Sequence, residues 1–321
     1  MQNKSQRVGT SFEVSVKNFF LNNGYFTLRG IIYKDGKNAI TDIDIWGYKN
    51  FGLYSYERII VDCKNKKRPK MAERILWTLG LKKTLNVEKA FLAVNKKNYE
   101  FHEFAIKNNI LVLDPSVINN IPDNYLSDEN FMNILKENER IGSNFKDDYE
   151  NLKSICVSKI DIKALNKVLY ITKRIMEQHS ISSNEATLRL MLFSVSILYI
   201  ILDMLHMKYK SISEQYSFSK LIDGIKYGDD INKIKQFAEI ISKITHEKFD
   251  VIYKQLLEAG SANISILEDG IIKNNKYFEY ALYFNKLALN KGEVIEIENK
   301  YKSKIYILCD YFNIKRTDFQ L

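Results

Sequence analysis

The segment Ile59-Ile-Val-Asp-Cys-Lys64 decides how this chain is read. Arg58 to Cys63 is a short β-branched run, and along a strand successive side chains face opposite ways. Ile59, Val61 and Cys63 then point to one face, while Asp62 and Lys64 share the other. The spacing alone says little, because an acidic residue two before a lysine occurs four times, beginning at Asp35, Asp62, Asp161 and Glu298. Asp35 falls in a turn signal, Asp161 on a helical pattern, and Glu298 after the acidic Glu293 and Glu296. Only Asp62 closes a hydrophobic strand that has another carboxylate-bearing strand just before it.

That preceding strand is Ala39 to Tyr48, in which Asp42 and Asp44 share a face. Before it, Ser11 to Asn22 sets Phe12, Val16, Phe19 and Phe20 at helical spacing and stops at Asn23-Gly24. Gly24 to Tyr33 reads as a strand, with a turn at Asp35-Gly36. After Lys64, Pro69 suits the first turn of a helix that continues through Ile75, Leu76, Leu79 and Leu85. Trp77 is expected in its core face. Ala90 to Val94 is a strand, Tyr99 to Lys107 a short helix and Ile110 to Leu113 a last strand before Asp114-Pro115. The predicted order is α-β-β-β-α-β-α-β, an α/β sandwich around a mixed sheet, over residues 1–120.

Residues 121–321 are expected to form a mainly α-helical domain. Long helical patterns run over Ile160 to Gln178, Asn184 to Met207, Ile231 to Ile244 and Phe249 to Ala259, with a short strand at Val294 to Ile297 or Ile305 to Leu308. This region carries no motif that assigns it a role. Its apolar segment from Leu190 to Leu202 is shorter than the roughly 20 residues of a membrane span, so a buried core helix is expected and no membrane partner.

Three scattered cysteines, Cys63, Cys156 and Cys309, argue against a disulfide framework or a zinc ribbon. The four histidines are isolated, which argues against a histidine-built metal site. A polar N-terminus without the apolar stretch of a signal peptide points to a reducing, cytoplasmic setting. The net charge of +9 is uneven: residues 1–110 hold 20 Lys+Arg against 10 Asp+Glu, and the remainder 28 against 29. A localised positive field favours a polyanion such as nucleic acid.

Two adjacent strands bearing carboxylates and a lysine suit phosphodiester hydrolysis. Mg²⁺ (or Mn²⁺) is usually held by one or two carboxylates plus water and phosphate. Asp44 and Asp62 supply the carboxylates, with Asp42 as the alternative first ligand and the Cys63 main-chain carbonyl completing the shell. Lys64 is placed to activate water and stabilise the transition state. The Cys63 side chain is expected in the core. Lys66, Lys67, Arg68, Lys70 and Arg74 follow directly and suit contacts to a phosphate backbone.

With these residues in view, the chain resembles the PD-(D/E)xK, restriction-endonuclease-like nucleases, in the Mrr-like and Holliday-junction-resolvase-like branch. The resemblance rests on Gly9-Thr10-Ser11-Phe12-Glu13 with Gly24-Tyr25, on Asp42-Ile43-Asp44-Ile45 and on Asp62-Cys63-Lys64, and it covers roughly residues 7–115. It implies that Asp44, Asp62 and Lys64 are catalytic, that Glu13 is an accessory metal or water ligand, and that the activity is metal-dependent DNA cleavage in restriction or phage defence. Two cuts on a duplex call for two active sites, so a homodimer is expected by symmetry. The chain departs from the family in lacking a proline before the first aspartate, in having Asp rather than Glu or Gln at position 62, and in lacking a Gln-x-x-x-Tyr motif after Lys64. A non-catalytic nucleic-acid-binding scaffold and an RNase using the same site are the alternatives.

Overall fold

The computed structural model describes residues 4–36, 38–64, 70–95, 101–118, 124–137, 144–228, 231–261, 263–292 and 296–319. The chain divides into two compact units, the first of Met1–Ser158 with Asn285–Glu293, the second of Lys159–Phe284 with Val294–Leu321.

The first unit begins with α1 (Lys4–Asn22), β1 (Phe26–Asp35), β2 (Asn38–Gly52) and β3 (Ser55–Lys64), then α2 (Met71–Leu85), β4 (Lys89–Val94), α3 (His102–Lys107) and β5 (Ile110–Leu113). The strands form one mixed sheet in the order β1-β2-β3-β4-β5. β1–β2 and β2–β3 are antiparallel, and β3–β4 and β4–β5 are parallel. α1 lays Phe12, Val16 and Phe20 onto the face that carries Ile45, Ile59, Val61 and Cys63. Sheet alternation therefore sorts β3 as expected, with Cys63 in the core. α2 buries Met71, Ile75 and Thr78, but Trp77 stays 46% exposed. Trp77 is thus not the core residue the pattern suggested, because α2 offers the sheet one narrow stripe and Trp77 lies off it.

β2 and β3 are longer than their apolar runs, because the chain reverses through Leu53 and Tyr54, both at positive φ. Within β2–β3, Gly47 faces Ile59 so closely that a Cβ on residue 47 would lie 2.8 Å from Ile59 Cγ1. A side chain at 47 would force the buried Ile59 side chain to shift.

Three more helices belong to this unit: α4 (Pro115–Ile118), α5 (Asp128–Glu137) and α6 (Phe145–Val157). The change to helical character near residue 120 therefore does not coincide with the edge of the compact unit. A buried ionic cluster ties α5 and α6 to α1 and β1. Asp128 accepts Arg29 Nε at 2.9 Å and the Tyr149 hydroxyl at 2.6 Å, and lies 3.5 Å from Lys17 Nζ. Lys153 donates to the Arg29 and Gly30 carbonyls at 3.3 Å each. Gly30 has φ +59° there. Burial alone would raise the Asp128 carboxyl, but Lys17, Lys153, Arg29 and Tyr149 hold it well below the usual range.

The second unit is helical: α7 (Ile162–Ile181), α8 (Glu185–Lys210), α9 (Glu214–Tyr227), α10 (Ile231–Thr245), α11 (Phe249–Ser261), α12 (Ile264–Gly270), most of α13 (Tyr277–Leu289) and α14 (Asn299–Phe312). Asp161 caps α7 through the Ala164 N–H at 3.1 Å, which gives that acidic residue a structural role. α8 is apolar and long enough to cross a membrane, but 94% of its apolar window is buried inside the protein. It is a core helix, begun by an Asn184–Thr187 capping box. Ile305 to Leu308 lies inside α14 and is not a strand: the run is short and its apolar spacing also fits a helix face. Val294 and Ile295 lie outside the described residues, and Glu296–Ile297 is not in a strand.

Two stability outcomes follow. Gly47→Val should destabilise the protein by about 1–3 kcal/mol through overpacking, read as a lower urea midpoint at unchanged slope. Asp128→Asn leaves buried cations without their carboxylate and should cost about 3–5 kcal/mol at neutral pH. Because the folded Asp128 carboxyl lies below its unfolded value, its contribution is present above the unfolded pKa, about 3.9, and is lost as pH falls further. Melting curves of the two proteins should therefore converge in acid.

Candidate metal and nucleic-acid site

β2 and β3 pair only as far as Ile45 and Val61. Beyond that point β2 continues against β1, through Ile43↔Ile31, and β3 continues against β4, through Asp62↔Leu92. The strands part, and Asp44, Asp62 and Lys64 stand where they do so. Asp44 Oδ2 accepts the Cys63 backbone N–H at 2.7 Å. A buried backbone donor needs an acceptor, and here a carboxylate provides it.

Lys64 Nζ lies 3.5 Å from Asp44 Oδ2 and 3.2 Å from Asp62 Oδ1. One ammonium thus bridges the two carboxylates, and the three residues singled out from the sequence are gathered. Asp42 is exposed on the stretch of β2 that pairs with β1, opposite Ile32, and takes no part in this group. Cys63 is buried among apolar side chains, and burial pushes its thiol well up.

Glu13 is set differently. Its Oε2 accepts Arg29 Nη1 at 2.8 Å, and the same guanidinium also binds Asp128 and Glu129. Glu13 borders a cleft of about 700 Å³ whose walls include Arg29, Asp128, Glu129, Lys136 and Lys146. Its carboxyl is raised, first by burial and then by Asp44, with Arg29 and Lys64 opposing. Asp44 is raised by burial and by Asp62, against the pull of Lys64 and the Cys63 N–H. Glu13 thus feels Asp44, and Asp44 feels Asp62, as a like charge.

Of the expected phosphate contacts, Lys66, Lys67 and Arg68 lie outside the described residues, as does Pro69. Lys70 is exposed and pairs with Glu73 at 2.8 Å. Arg74 turns inward: Nε donates to Asp62 Oδ2 at 3.0 Å, and Nη2 donates to Asp62 Oδ1, a two-pronged grip on a carboxylate that is only 8% exposed.

The two gathered carboxylates offer oxygen donors. Hard divalent cations choose that chemistry. A positive centre is already held between Asp44 and Asp62, so the space between them accommodates a cation. Among the described residues no three His, Cys, Asp or Glu side chains are gathered closely enough to hold an ion unaided. Water or a phosphate oxygen would have to complete the shell.

Arg29, Lys17 and Lys153 escaped the sequence reading. Arg29 left a trace, a lone charge inside the apolar run Phe26 to Tyr33, where an unpaired charge would be costly. Two of its partners, Asp128 and Glu129, sit about a hundred residues later, and no local pattern names them.

The raised Asp44 carboxyl has a measurable consequence. The folded state binds that proton more tightly than the unfolded state, so stability declines as pH rises from the unfolded value through the folded one. Asp44→Asn keeps an oxygen for the Cys63 N–H and removes the charge. It should melt no lower than wild type at pH 7, with any gain vanishing in acid where both side chains are neutral. Comparison of the chain with family models, with curated proteins and with solved structures finds no match.

Proposed function

We propose that the first unit is a restriction-endonuclease-like nuclease that hydrolyses DNA with Mg²⁺ or Mn²⁺, in restriction or phage defence. One observation carries the reading: a carboxylate from β2, and a carboxylate and a lysine from β3, meet where those strands part. Asp44, Asp62 and the Cys63 carbonyl would hold the ion, and Glu13 would act through water at its edge. When bound, the ion lowers the pKa of water and offsets charge on the attacked phosphate. Lys64 orients the attacking water and donates to the phosphate oxygens as charge builds there. The excess basic charge of residues 1–110 draws the polyanion to this unit. Duplex cleavage by one site per chain would be met by a homodimer.

A second reading has its own support. The grip of Arg74 and Lys64 on Asp62 neutralises the carboxylate that a metal would need. On this reading the unit is a nucleic-acid-binding scaffold with a nuclease-like sheet, showing salt-sensitive binding and no product with any divalent ion.

Purified protein incubated with supercoiled plasmid, single-stranded RNA and a branched duplex separates these readings and tests an RNase using the same residues. The nuclease reading expects nicked plasmid with Mg²⁺ or Mn²⁺, none with EDTA, and a loss of about 10²–10³-fold in Lys64→Ala. Equal nicking by wild type and Lys64→Ala would defeat it.

A further inference from the structure

We propose that Arg74 is an exchangeable cation at this site: it occupies Asp62 until a nucleic-acid phosphate draws its guanidinium away, so that substrate binding opens the carboxylate to the metal. The inference rests on the nuclease reading above.

The geometry that favours exchange is asymmetric. Asp62 is 8% exposed, whereas the Arg74 side chain is 28% exposed and springs from the first turn of α2, where its N–H bonds the Lys70 carbonyl at 3.1 Å. The carboxylate is fixed in a strand, and the guanidinium is the partner that solvent and ligand can reach. Both Asp62 oxygens are engaged, Oδ2 by Arg74 Nε and Oδ1 by Arg74 Nη2 and Lys64. A divalent ion placed beside Asp62 must displace that cationic fork or share the carboxylate with it at short range, where like charges repel strongly.

Arg74 also has somewhere to go. Guanidinium binds phosphate in the same two-pronged way as carboxylate. Lys70, one turn earlier, is exposed, as is the Trp77 ring one turn later on the same side of α2. A phosphate approaching that side meets a movable guanidinium first. The vacated carboxylate, near Asp44, Asp62's like-charged neighbour across the strand gap, would then demand a replacement cation.

Exchange of this kind is a linkage, and linkage is reciprocal: whatever nucleic acid does for metal affinity, metal does for nucleic-acid affinity. Without Arg74 the two events lose their shared element. Lys64 does not supply that element, since it bridges Asp44 and Asp62 and lacks the two-pronged donor geometry of a guanidinium.

The experiment measures Mn²⁺ binding by the full chain, from the free-ion paramagnetic resonance signal, with and without a short phosphorothioate duplex that resists cleavage. Wild type should bind Mn²⁺ about 5- to 150-fold more tightly with the duplex present, the usual range of such couplings. Arg74→Gln should bind Mn²⁺ more tightly than wild type without duplex, and adding duplex should change little. Arg74→Lys keeps the charge but loses the fork, and should fall between the two. It also serves as the test variant if Arg74→Gln does not fold, as judged by circular dichroism. If the variants bind Mn²⁺ no more tightly than wild type and keep the full duplex effect, the exchange is overturned while the nuclease reading stands on the plasmid result. If neither wild type nor any variant binds Mn²⁺, with or without duplex, both are overturned.

Discussion

Once β2 and β3 separate beyond Ile45 and Val61, the Cys63 N–H has no main-chain partner in the β2–β3 ladder, and the Asp44 carboxylate bonds it at 2.7 Å. A sheet that divides at one end must satisfy the backbone groups it uncovers, because buried unpaired donors are costly. Using a side-chain carboxylate for that purpose plants a negative charge at the division. Asp62, the residue before Cys63, adds a second. The same structural need therefore positions two carboxylates beside each other, and Lys64 becomes necessary to hold them there.

The charges around this point form two linked groups. One is Asp44, Asp62, Lys64 and Arg74 on β2, β3 and α2. The other is Glu13, Arg29, Asp128, Lys17 and Lys153 on α1, β1, α5 and α6. Glu13 joins them, bonded to Arg29 yet raised by Asp44. In the second group Lys17, Arg29 and Lys153 are nearly wholly buried, and each pairs with Asp128, as expected for a buried network that fixes how elements pack. In the first group the like charges of Asp44 and Asp62 are held by cations on more exposed side chains. The second group resembles scaffolding and the first a site whose cation can change.

Local patterns exposed much of this. The β-branched run before Lys64 and the alternation of Asp42 to Ile45 identified two strands and the faces of their charged residues. Apolar spacing marked α1, α7 and α8 to within a few residues at most of their ends. Other features were illegible for definable reasons. The β2–β3 turn is built from Leu53 and Tyr54, without the Asn-Gly or Asp-Gly that usually announces a reversal. Trp77 looked like core because its helix is apolar on more than one side. Ile305 to Leu308 is too short an apolar run to separate strand from helix by its pattern.

What the sequence by itself determined was the order of the elements and which side chains share a face, since both follow from periodicities of the backbone that each residue meets locally. The meeting of Asp44, Asp62 and Lys64 was expected from their strands, whereas the further charges that join them were decided by the tertiary structure alone. Asp44 and not Asp42 joins Asp62 because the strands part after residue 45. Arg74 grips Asp62, and Arg29 gathers Glu13, Asp128 and Glu129, because helices far apart in the chain are packed onto one sheet. Ion pairing depends on distances in space, and no spacing along the chain encodes them.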